Sequence, residues 1–304
     1  MRKFLEPTSK LLRGKVALTK YWKIDKNLFQ KGCLDHIEGI VSSAEDLIDG
    51  DFMAHLPKLK IISHMATGID SIDISAAKKR NITIKNTPSI ATDDTADLAF
   101  GLIIALARRI LINDEYIRSK CWGIKPYDLS FSLKEKKIGI VGLGEIGMAI
   151  AQRAKAFNLE ILYWGREKKD YVNYKYICNL NDLAKEVNFL IISCAGNKET
   201  KNLINANVLK ALGKDSFLIN VSRGFVVNQD DLIYALKAKD IAGAALDVFQ
   251  DEPHIPQQLL RMRNVVLQPH AGSATIETRT AMYRLVAKNI LDYFRVNLGS
   301  VKIS

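Results

Sequence analysis

The stretch "KIGIVGLGEIGMAIAQRAKAF", residues 137–157, limits the possible folds of this chain more than any other. It opens with apolar and β-branched residues, as in strands that are buried on both faces of a parallel sheet. Gly142, Gly144 and Gly147 follow in the pattern G-x-G-x-x-G, and an apolar pattern of helical period comes next. The stretch therefore predicts a strand, a tight turn and a helix in succession.

This succession is typical of a turn that binds the pyrophosphate of a dinucleotide. The first glycine permits the tight turn, the second lets the backbone approach the phosphates, and the third allows close contact between helix and strand. The N–H groups at the start of the helix, at Glu145 and Ile146, add the positive end of the helix dipole. A purely structural turn is the alternative, and the strand–turn–helix context favours the dinucleotide site.

Strands alternate with helices along most of the chain, which indicates α/β layering. The predicted strands cover 15–20, 37–43, 59–66, 82–86, 137–142, 159–164, 188–194, 216–221, 241–247 and 264–268. The predicted helices cover 43–56, 73–81, 95–112, 145–157, 180–186, 201–212, 229–238 and 276–297. Because the alternation restarts near residue 137, we predict two Rossmann-like domains. Residues 1–95 and 277–304 form a flavodoxin-like substrate domain, and residues 96–276 form a doubly wound dinucleotide-binding domain.

Composition narrows the class of protein further. The 44 basic and 33 acidic residues give a net charge of +11, but the basic residues are spread along the chain, so no nucleic-acid partner is expected. No apolar run is long enough to span a membrane, and the N-terminus lacks the apolar stretch of a signal peptide. The four cysteines lack CxxC spacing and do not cluster with the five histidines. We therefore expect free thiols, no metal site and a cytoplasmic location.

The segment "YWGREKK", residues 163–169, bears on which dinucleotide is bound. Folds that bind NAD place an Asp or Glu at about this distance from the glycine turn, where it accepts hydrogen bonds from the adenosine ribose. Here Gly165 removes the acid and leaves room, Arg166 can grip a 2′-phosphate, and Lys168 or Lys169 adds charge. These residues favour NADP(H) over NAD(H), and a solvated basic loop is the alternative.

Several segments together resemble the D-isomer-specific 2-hydroxyacid dehydrogenase family over nearly the full length. They are "MATGIDSIDISAAKKRNITIKNTPSIATDDTADLAFGLIIALARR" (65–109), "VGLGEIG" (141–147), "LINVSRGFVVNQDDLIYAL" (218–236), "GAALDVFQDEP" (243–253) and "LQPHAGSATIETR" (267–279). One departure is Ala195-Gly196, where the family usually has Pro-Leu, in a loop expected near the adenosine.

The resemblance implies that Arg223, Glu252 and His270 are catalytic. The residue types suit the reduction of a 2-oxo acid, because His can donate the proton, a carboxylate can orient the His, and a guanidinium can grip the substrate. Taken singly, each has a structural alternative: a strand-end salt bridge for Arg223, a solvated turn for Glu252 and a structural histidine for His270. The family's substrate-binding loop corresponds to Ala66, Thr67 and Gly68, whose backbone N–H groups would bind the substrate carboxylate. Arg223 and His270 would bind the substrate as well. A plain turn is the alternative for the loop.

Two further residues carry open alternatives. Asp247 resembles the residue that binds the nicotinamide carboxamide, and it could equally cap a strand end. Thr95 could either cap the helix that follows or touch the nicotinamide end of the cofactor.

As a whole, the resemblance implies an oxidoreductase that reversibly transfers hydride between NADP(H) and a small 2-oxo acid or D-2-hydroxy acid. Two segments, "TADLAFGLIIALARR" (95–109) and the basic "GREKK" (165–169), favour the glyoxylate/hydroxypyruvate reductases of the family. The resemblance also implies a homodimer and an active site in the cleft between the domains. The rival interpretation is a regulatory protein on the same fold, which binds the nicotinamide cofactor without turnover.

Overall fold

The computed structural model describes residues 6–19 and 34–295, which form two compact units. Unit 1 contains the described residues of 1–91 and 275–304, and unit 2 is 92–274. The sequence puts these divisions at 95/96 and 276/277. The divisions in the structure fall where two helices begin, so each helix lies wholly within one unit.

Unit 1 is built on a parallel sheet in the order β1-β2-β3. Its elements are α1 (Glu6–Leu12), β1 (Gly39–Ser43), α2 (Gly50–Ala54), β2 (Ile61–Met65), α3 (Ile74–Lys79), β3 (Thr83–Lys85) and α11 (Ile276–Tyr293). Every residue of β2 is buried. Because side chains alternate along a strand, Ile61 packs against α1 and α11, while Ile62 packs against α2 and α3 on the other face.

Two predicted elements of unit 1 are wrong. Residues 15–19 form a turn and irregular chain instead of a strand, and Lys20 lies outside the described residues. The helix predicted over 43–56 is reduced to α2. Its first part is held in another conformation, because Asp46 accepts the N–H of Ser43 and Ile48 forms a bridge to Ile72.

Unit 2 contains a seven-stranded sheet in the order β10-β9-β8-β7-β4-β5-β6, with every neighbouring pair parallel. Its elements are α4 (Thr92–Ala107), α5 (Ile110–Arg118), β4 (Lys137–Val141), α6 (Glu145–Ala156), β5 (Glu160–Trp164), β6 (Lys175–Tyr176), α7 (Leu180–Glu186), β7 (Phe189–Ile192), α8 (Ala206–Leu212), β8 (Phe217–Asn220), α9 (Gln229–Ala238), β9 (Gly243–Leu246), α10 (Gln257–Leu260) and β10 (Val265–Leu267). The strand order reverses beside β4, which is the switch point of a doubly wound sheet. The α/β class with parallel sheets is thus confirmed.

Helices cover both faces of this sheet. Ile140 and Ile191 face the layer of α4 and α6, whereas Val141 and Ile192 face the layer of α7, α8 and α9. All four are fully buried, which explains why these strands are continuously apolar in sequence.

Other predicted helices differ in their bounds. The helix predicted over 95–112 begins at Thr92 and is interrupted at Arg109, whose φ of 53° is left-handed, so α5 is a separate helix. The helix predicted over 201–212 begins only at Ala206. There the Asn205 side chain caps the helix, and Ile204 is already bridged to Val227.

Candidate active site

The glycine turn follows β4 and is fixed by close packing. Gly142 has a φ of 95°, and a Cβ atom there would lie 2.4 Å from the Cα of Cys194. A Cβ on Gly147 would lie 2.3 Å from the carbonyl oxygen of Gly142. Nothing lies within 4 Å of the position that a Cβ of Gly144 would take. The first and third glycines are therefore required by the protein's own packing, while the second faces open space.

Helix α6 begins at this open position. Gly144 is its N-cap residue and has no side chain to cap the first N–H groups, which include those of Glu145 and Ile146. The turn is tied to the strands on both sides of β4: the N–H of Gly142 donates to Trp164 O (2.9 Å), and Ser193 Oγ donates to Gly142 O (2.9 Å). An open glycine and the positive end of the helix dipole at the switch point fit the pyrophosphate of a dinucleotide.

The loop after β5 displays the basic residues. Arg166 and Lys168 are exposed, and neither makes a hydrogen bond or ion pair with any described residue. Lys169 differs, because its Nζ donates to the Tyr171 hydroxyl (2.9 Å) and lies over that ring. The nearest atom to a Cβ built on Gly165 is 3.8 Å away, so the loop has room where an acid would stand.

The remaining polar residues of unit 2 come from the ends of three neighbouring strands. Arg223 follows β8, Asp247 and Glu252 follow β9, and His270 follows β10. Because these strands are parallel, their carboxyl ends lie at one edge of the sheet, which is the edge that also carries the glycine turn.

Glu252 and His270 form a hydrogen-bonded pair. Glu252 Oε2 lies 2.8 Å from His270 Nδ1, and Glu252 Oε1 accepts the N–H of Phe249 at 2.9 Å. Burial by itself would raise the pKa of Glu252, but the hydrogen bond and charge of His270, the Phe249 N–H and the charge of Arg223 together lower it. Glu252 is thus held ionised against His270, which leaves Nε2 as the ring nitrogen that the carboxylate does not contact.

Two glycines shape the surroundings of Arg223. A Cβ on Gly196 would lie 2.5 Å from Arg223 Cγ and 2.8 Å from the Phe225 ring. A Cβ on Gly224 would lie 1.9 Å from the backbone carbon of Phe249. Gly224 therefore lets the Arg223 segment approach the segment that leads to Glu252, and Gly196 lets the arginine side chain pass over it. Gly196 thus lies against Arg223, and the expected place of its loop near the adenosine stays a prediction.

Asp247 links the ends of two strands. It is 1% exposed, and its two oxygens accept the N–H groups of Ala271 (2.6 Å) and Gly272 (3.0 Å), just after His270. Burial raises its pKa against the lowering effects of these N–H groups and of His270. Thr95 joins the same cluster by donating to Gly272 O at 3.1 Å. The capping alternative for Thr95 is wrong, because α4 begins at Thr92 and Thr95 already lies in its first turn.

The predicted substrate loop lies at the carboxyl end of β2 in unit 1. Its carbonyl groups are engaged: Ala66 O accepts the N–H of Thr87 (3.0 Å), and Thr67 O accepts the Asn86 amide (2.8 Å). Within 6–19 and 34–295, the N–H groups of Thr67 and Gly68 have no hydrogen-bond acceptor. They remain available as donors.

The described residues hold neither a metal-binding cluster nor a helix that could span a membrane. They contain no group of three or more His, Cys, Asp or Glu that could hold a metal ion. None of the helices in this part of the chain combines the length and apolar character needed to cross a membrane.

A family model described as "D-isomer specific 2-hydroxyacid dehydrogenase, NAD binding domain" matches residues 100–272. The glyoxylate/hydroxypyruvate reductase A of Arabidopsis thaliana is 40% identical over 93% of this chain and 91% of its own length. The chain belongs to the D-isomer-specific 2-hydroxyacid dehydrogenase family. Glyoxylate reductase of Thermococcus litoralis is 43% identical over 84% of this chain and 80% of its own.

Solved structures give the same family assignment. An NADPH-dependent glyoxylate/hydroxypyruvate reductase from Sinorhizobium meliloti, in complex with NADP and malonate, superposes with a TM-score of 0.82. It is 36% identical, with 90% of this chain and 84% of that chain covered. This member of the dehydrogenase family is therefore an oxidoreductase of 2-oxo and 2-hydroxy acids with a nicotinamide dinucleotide as cofactor. The comparisons do not support the regulatory alternative.

Sequence reasoning assigned no role to three residues that build this edge of the sheet, Gly224, Tyr163 and Tyr176, and it noted Gly196 only as a departure from the family pattern. Gly224 directly follows the predicted arginine, which is a signal that could have been used. Tyr163 and Tyr176, whose hydroxyls bind the loop after β5, carry no such signal, since the partner atoms belong to the backbone.

Proposed function

We propose that this dehydrogenase reduces a small 2-oxo acid, with glyoxylate or hydroxypyruvate as the substrate, and that it prefers NADP(H). The observation that carries the proposal is the Glu252–His270 pair at 2.8 Å beside Arg223, on the edge that also bears the glycine turn. The substrate class is supported by relatives named as glyoxylate and hydroxypyruvate reductases.

In the proposed mechanism each residue has one task. His270 donates a proton to the carbonyl oxygen of the substrate through Nε2, while Glu252 holds Nδ1 and stabilises the charged ring. Arg223 grips the substrate carboxylate and polarises its carbonyl. The N–H groups of Thr67 and Gly68, with the loop from Ala66, hold the substrate carboxylate as donors. The nicotinamide supplies the hydride when it is bound.

The proposed cofactor contacts begin at the glycine turn. Gly142, Gly144 and Gly147 shape the turn, and the N–H groups of Glu145 and Ile146 bind the pyrophosphate. Asp247 is proposed to accept a hydrogen bond from the nicotinamide carboxamide. Each of its oxygens keeps a further lone pair beyond the one that accepts from Ala271 or Gly272. The Thr95 side chain supports this end of the site through Gly272 O.

The preference for NADP(H) rests on the loop after β5. Arg166 and Lys168 are exposed cations without a partner in the described chain, next to Gly165, whose position leaves room. A 2′-phosphate would offer two oxygen atoms that accept hydrogen bonds from the Arg166 guanidinium, and its negative charge would attract both Arg166 and Lys168. The Sinorhizobium meliloti relative, whose structure is in complex with NADP, supports the same choice.

The test follows the absorbance of the reduced nicotinamide at 340 nm. Purified protein receives NADPH or NADH with glyoxylate, hydroxypyruvate, pyruvate or phenylpyruvate. We expect faster loss of NADPH, and glyoxylate or hydroxypyruvate as the best substrate. Arg166→Asp should shift the preference toward NADH, while Arg284→Asp, the same charge change on an exposed residue of α11, should not. Faster loss of NADH in the wild type would refute the cofactor assignment.

A homodimer is also proposed, through the surface of α5 and the segment after it. Helix α5 has no buried residue, and Trp122 and Leu129 are 79% and 83% exposed. Further large apolar side chains are exposed nearby in sequence: Ile110, Leu111, Ile117, Ile124 and Tyr127. Such a set is typical of a protein–protein interface. Light scattering after size exclusion should give a molar mass of twice the chain mass. In Leu129→Asp, the measured molar mass should fall toward that of a single chain.

A further inference from the structure

The loop that carries Arg166 and Lys168 is held at both of its ends by tyrosine hydroxyls. The Tyr163 oxygen accepts the backbone N–H of Lys169 at 2.7 Å. The Tyr176 hydroxyl donates to the backbone carbonyl of Gly165 at 3.1 Å. The two bonds bracket the exposed cations at the tip of the loop.

The two tyrosines are themselves firmly placed. Tyr163 is 1% exposed within β5, and Tyr176 is its register partner in β6. Their ring centroids are 5.3 Å apart with the planes tilted by 52°. The neighbouring Trp164 adds a bond from Nε1 to Cys178 O at 3.2 Å. The loop is thus attached to the core of unit 2 through a packed aromatic pair.

We propose that Tyr163 and Tyr176 are positioning residues that set the preference for NADP(H). By fixing the backbone on both sides of the tip, they keep Arg166 and Lys168 over the place where a 2′-phosphate binds. A loop that is ordered before the ligand arrives loses less conformational entropy on binding, so the affinity for the phosphate is higher. This inference rests on the proposed cofactor preference and deepens it.

The same geometry separates the roles of the two lysines. Lys169 gives its backbone N–H to Tyr163 and its Nζ to Tyr171, so both of its donor groups serve the loop. Lys168 makes no such bond to a described residue. Of the two, Lys168 is therefore the one whose ammonium group can turn to the phosphate without giving up a bond.

The experiment measures two fragments of the cofactor by titration calorimetry on the full chain. Adenosine 2′,5′-bisphosphate contains the distinguishing phosphate, and adenosine 5′-monophosphate lacks it. Tyr163→Phe and Tyr176→Phe should each weaken the bisphosphate about threefold to tenfold, which is the effect of one hydrogen bond. Both variants should change the affinity for the monophosphate by less than about twofold, because the ring packing is kept. A purely structural role would weaken both fragments alike and would overturn the proposal.

Two controls separate this inference from the proposed function. Arg166→Ala comes first: if it leaves bisphosphate affinity unchanged, the phosphate clamp itself is refuted, and the positioning role fails with it. If Arg166→Ala weakens binding while both tyrosine variants leave it unchanged, only the positioning role is overturned. In the Arg166→Ala background, Tyr163→Phe should lose most of its effect. Ser216→Ala, which removes a 3.1 Å bond from a side-chain hydroxyl to Val187 O elsewhere in unit 2, should leave both affinities unchanged.

Discussion

Two regions of the seven-stranded sheet differ in whether their charged side chains have hydrogen-bond partners. At the ends of β9 and β10, Glu252 meets His270, and both oxygens of Asp247 meet backbone N–H groups. At the end of β5, Arg166 and Lys168 make no hydrogen bond or ion pair with another described residue. In the first region the charged side chains are held by a side chain or by backbone N–H groups, whereas in the second only the backbone of the loop is held.

The difference fits the roles proposed for the two regions, proton transfer in the first and binding of a 2′-phosphate in the second. Proton transfer needs a fixed direction and a fixed charge state, so the donor is best oriented by the protein before substrate arrives. An anion-binding loop gains most when its cations have no internal partner to give up, because their pairing energy then goes to the ligand. The first region should therefore be sensitive to changes of side chain, and the second to changes of ligand charge.

The largest expected effect concerns the first region. His270→Gln removes the proposed proton donor but keeps a polar side chain of similar size, so kcat should fall by about 10²- to 10⁴-fold. The affinity for NADPH should stay within about twofold, measured by fluorescence titration. An equal loss of affinity and turnover would mean that the two regions are not separable.

The next effect concerns Arg223, through a glycine. Gly196→Ala places a Cβ where Arg223 Cγ and Phe225 now lie, so kcat/KM should fall about 10- to 100-fold as the guanidinium is displaced. Gly165→Ala is the matched control, because the same added methyl has room in the loop after β5. A similar loss in both variants would contradict the assignment of crowding to Gly196.

Gly196 also illustrates what the sequence could and could not predict. The strand, turn and helix around Gly142 followed from local pattern, because each element is specified by neighbouring residues. The contact between Gly196 and Arg223 joins segments 27 residues apart, and only the parallel order of β7 and β8 brings them together. Spacing along the chain carries no information about that approach, so Gly196 could be recognised only as a departure from the family pattern.

Short elements were missed for a related reason. Strand β6 has two residues, too few for a periodic pattern, yet it places Tyr176 beside Tyr163. The long helix over 95–112 was predicted as continuous because the apolar pattern runs through Arg109, and the left-handed backbone there breaks it. The motifs single out Arg223, Glu252 and His270 as candidates. That Glu252 lies within hydrogen-bonding distance of His270 could be seen only in the folded structure.

A change of ligand charge tests the second region. Gly165→Asp restores the acid that NAD-binding folds carry, at a position with room for it and no left-handed φ. The carboxylate would repel a 2′-phosphate and accept the ribose hydroxyls, so the ratio of kcat/KM for NADPH over NADH should fall about 10-fold or more. With Gly165→Ala, the ratio should stay near that of the wild type. A fall in both variants alike would attribute the effect to shape and not to charge.

A smaller effect is expected on stability, and it has a definite sign with pH. The folded pKa of Glu252 lies below its ordinary value of 4.5, so the unfolded chain binds a proton first as the pH falls. The stability that the charge contributes is therefore present above pH 4.5 and lost as the pH falls through the folded pKa. The melting temperature of Glu252→Gln should lie a few degrees below the wild type at pH 7, and the gap should close in acid. A gap that widens in acid would contradict the sign.

The smallest expected effect concerns the link between α4 and the segment after His270. Thr95 is buried, and Thr95→Val keeps its shape but removes the hydroxyl that donates to Gly272 O. The lost bond should cost about 1 kcal/mol, or roughly 2–4 °C in the melting temperature of a unit of this size. Because Gly272 is also held by Asp247, the fall in kcat should be less than about threefold, and Thr95→Ser should restore both values. If kcat falls well beyond about threefold while the melting temperature falls only as expected, Thr95 acts directly on the site. The region of Glu252, His270 and Asp247 would then extend into α4.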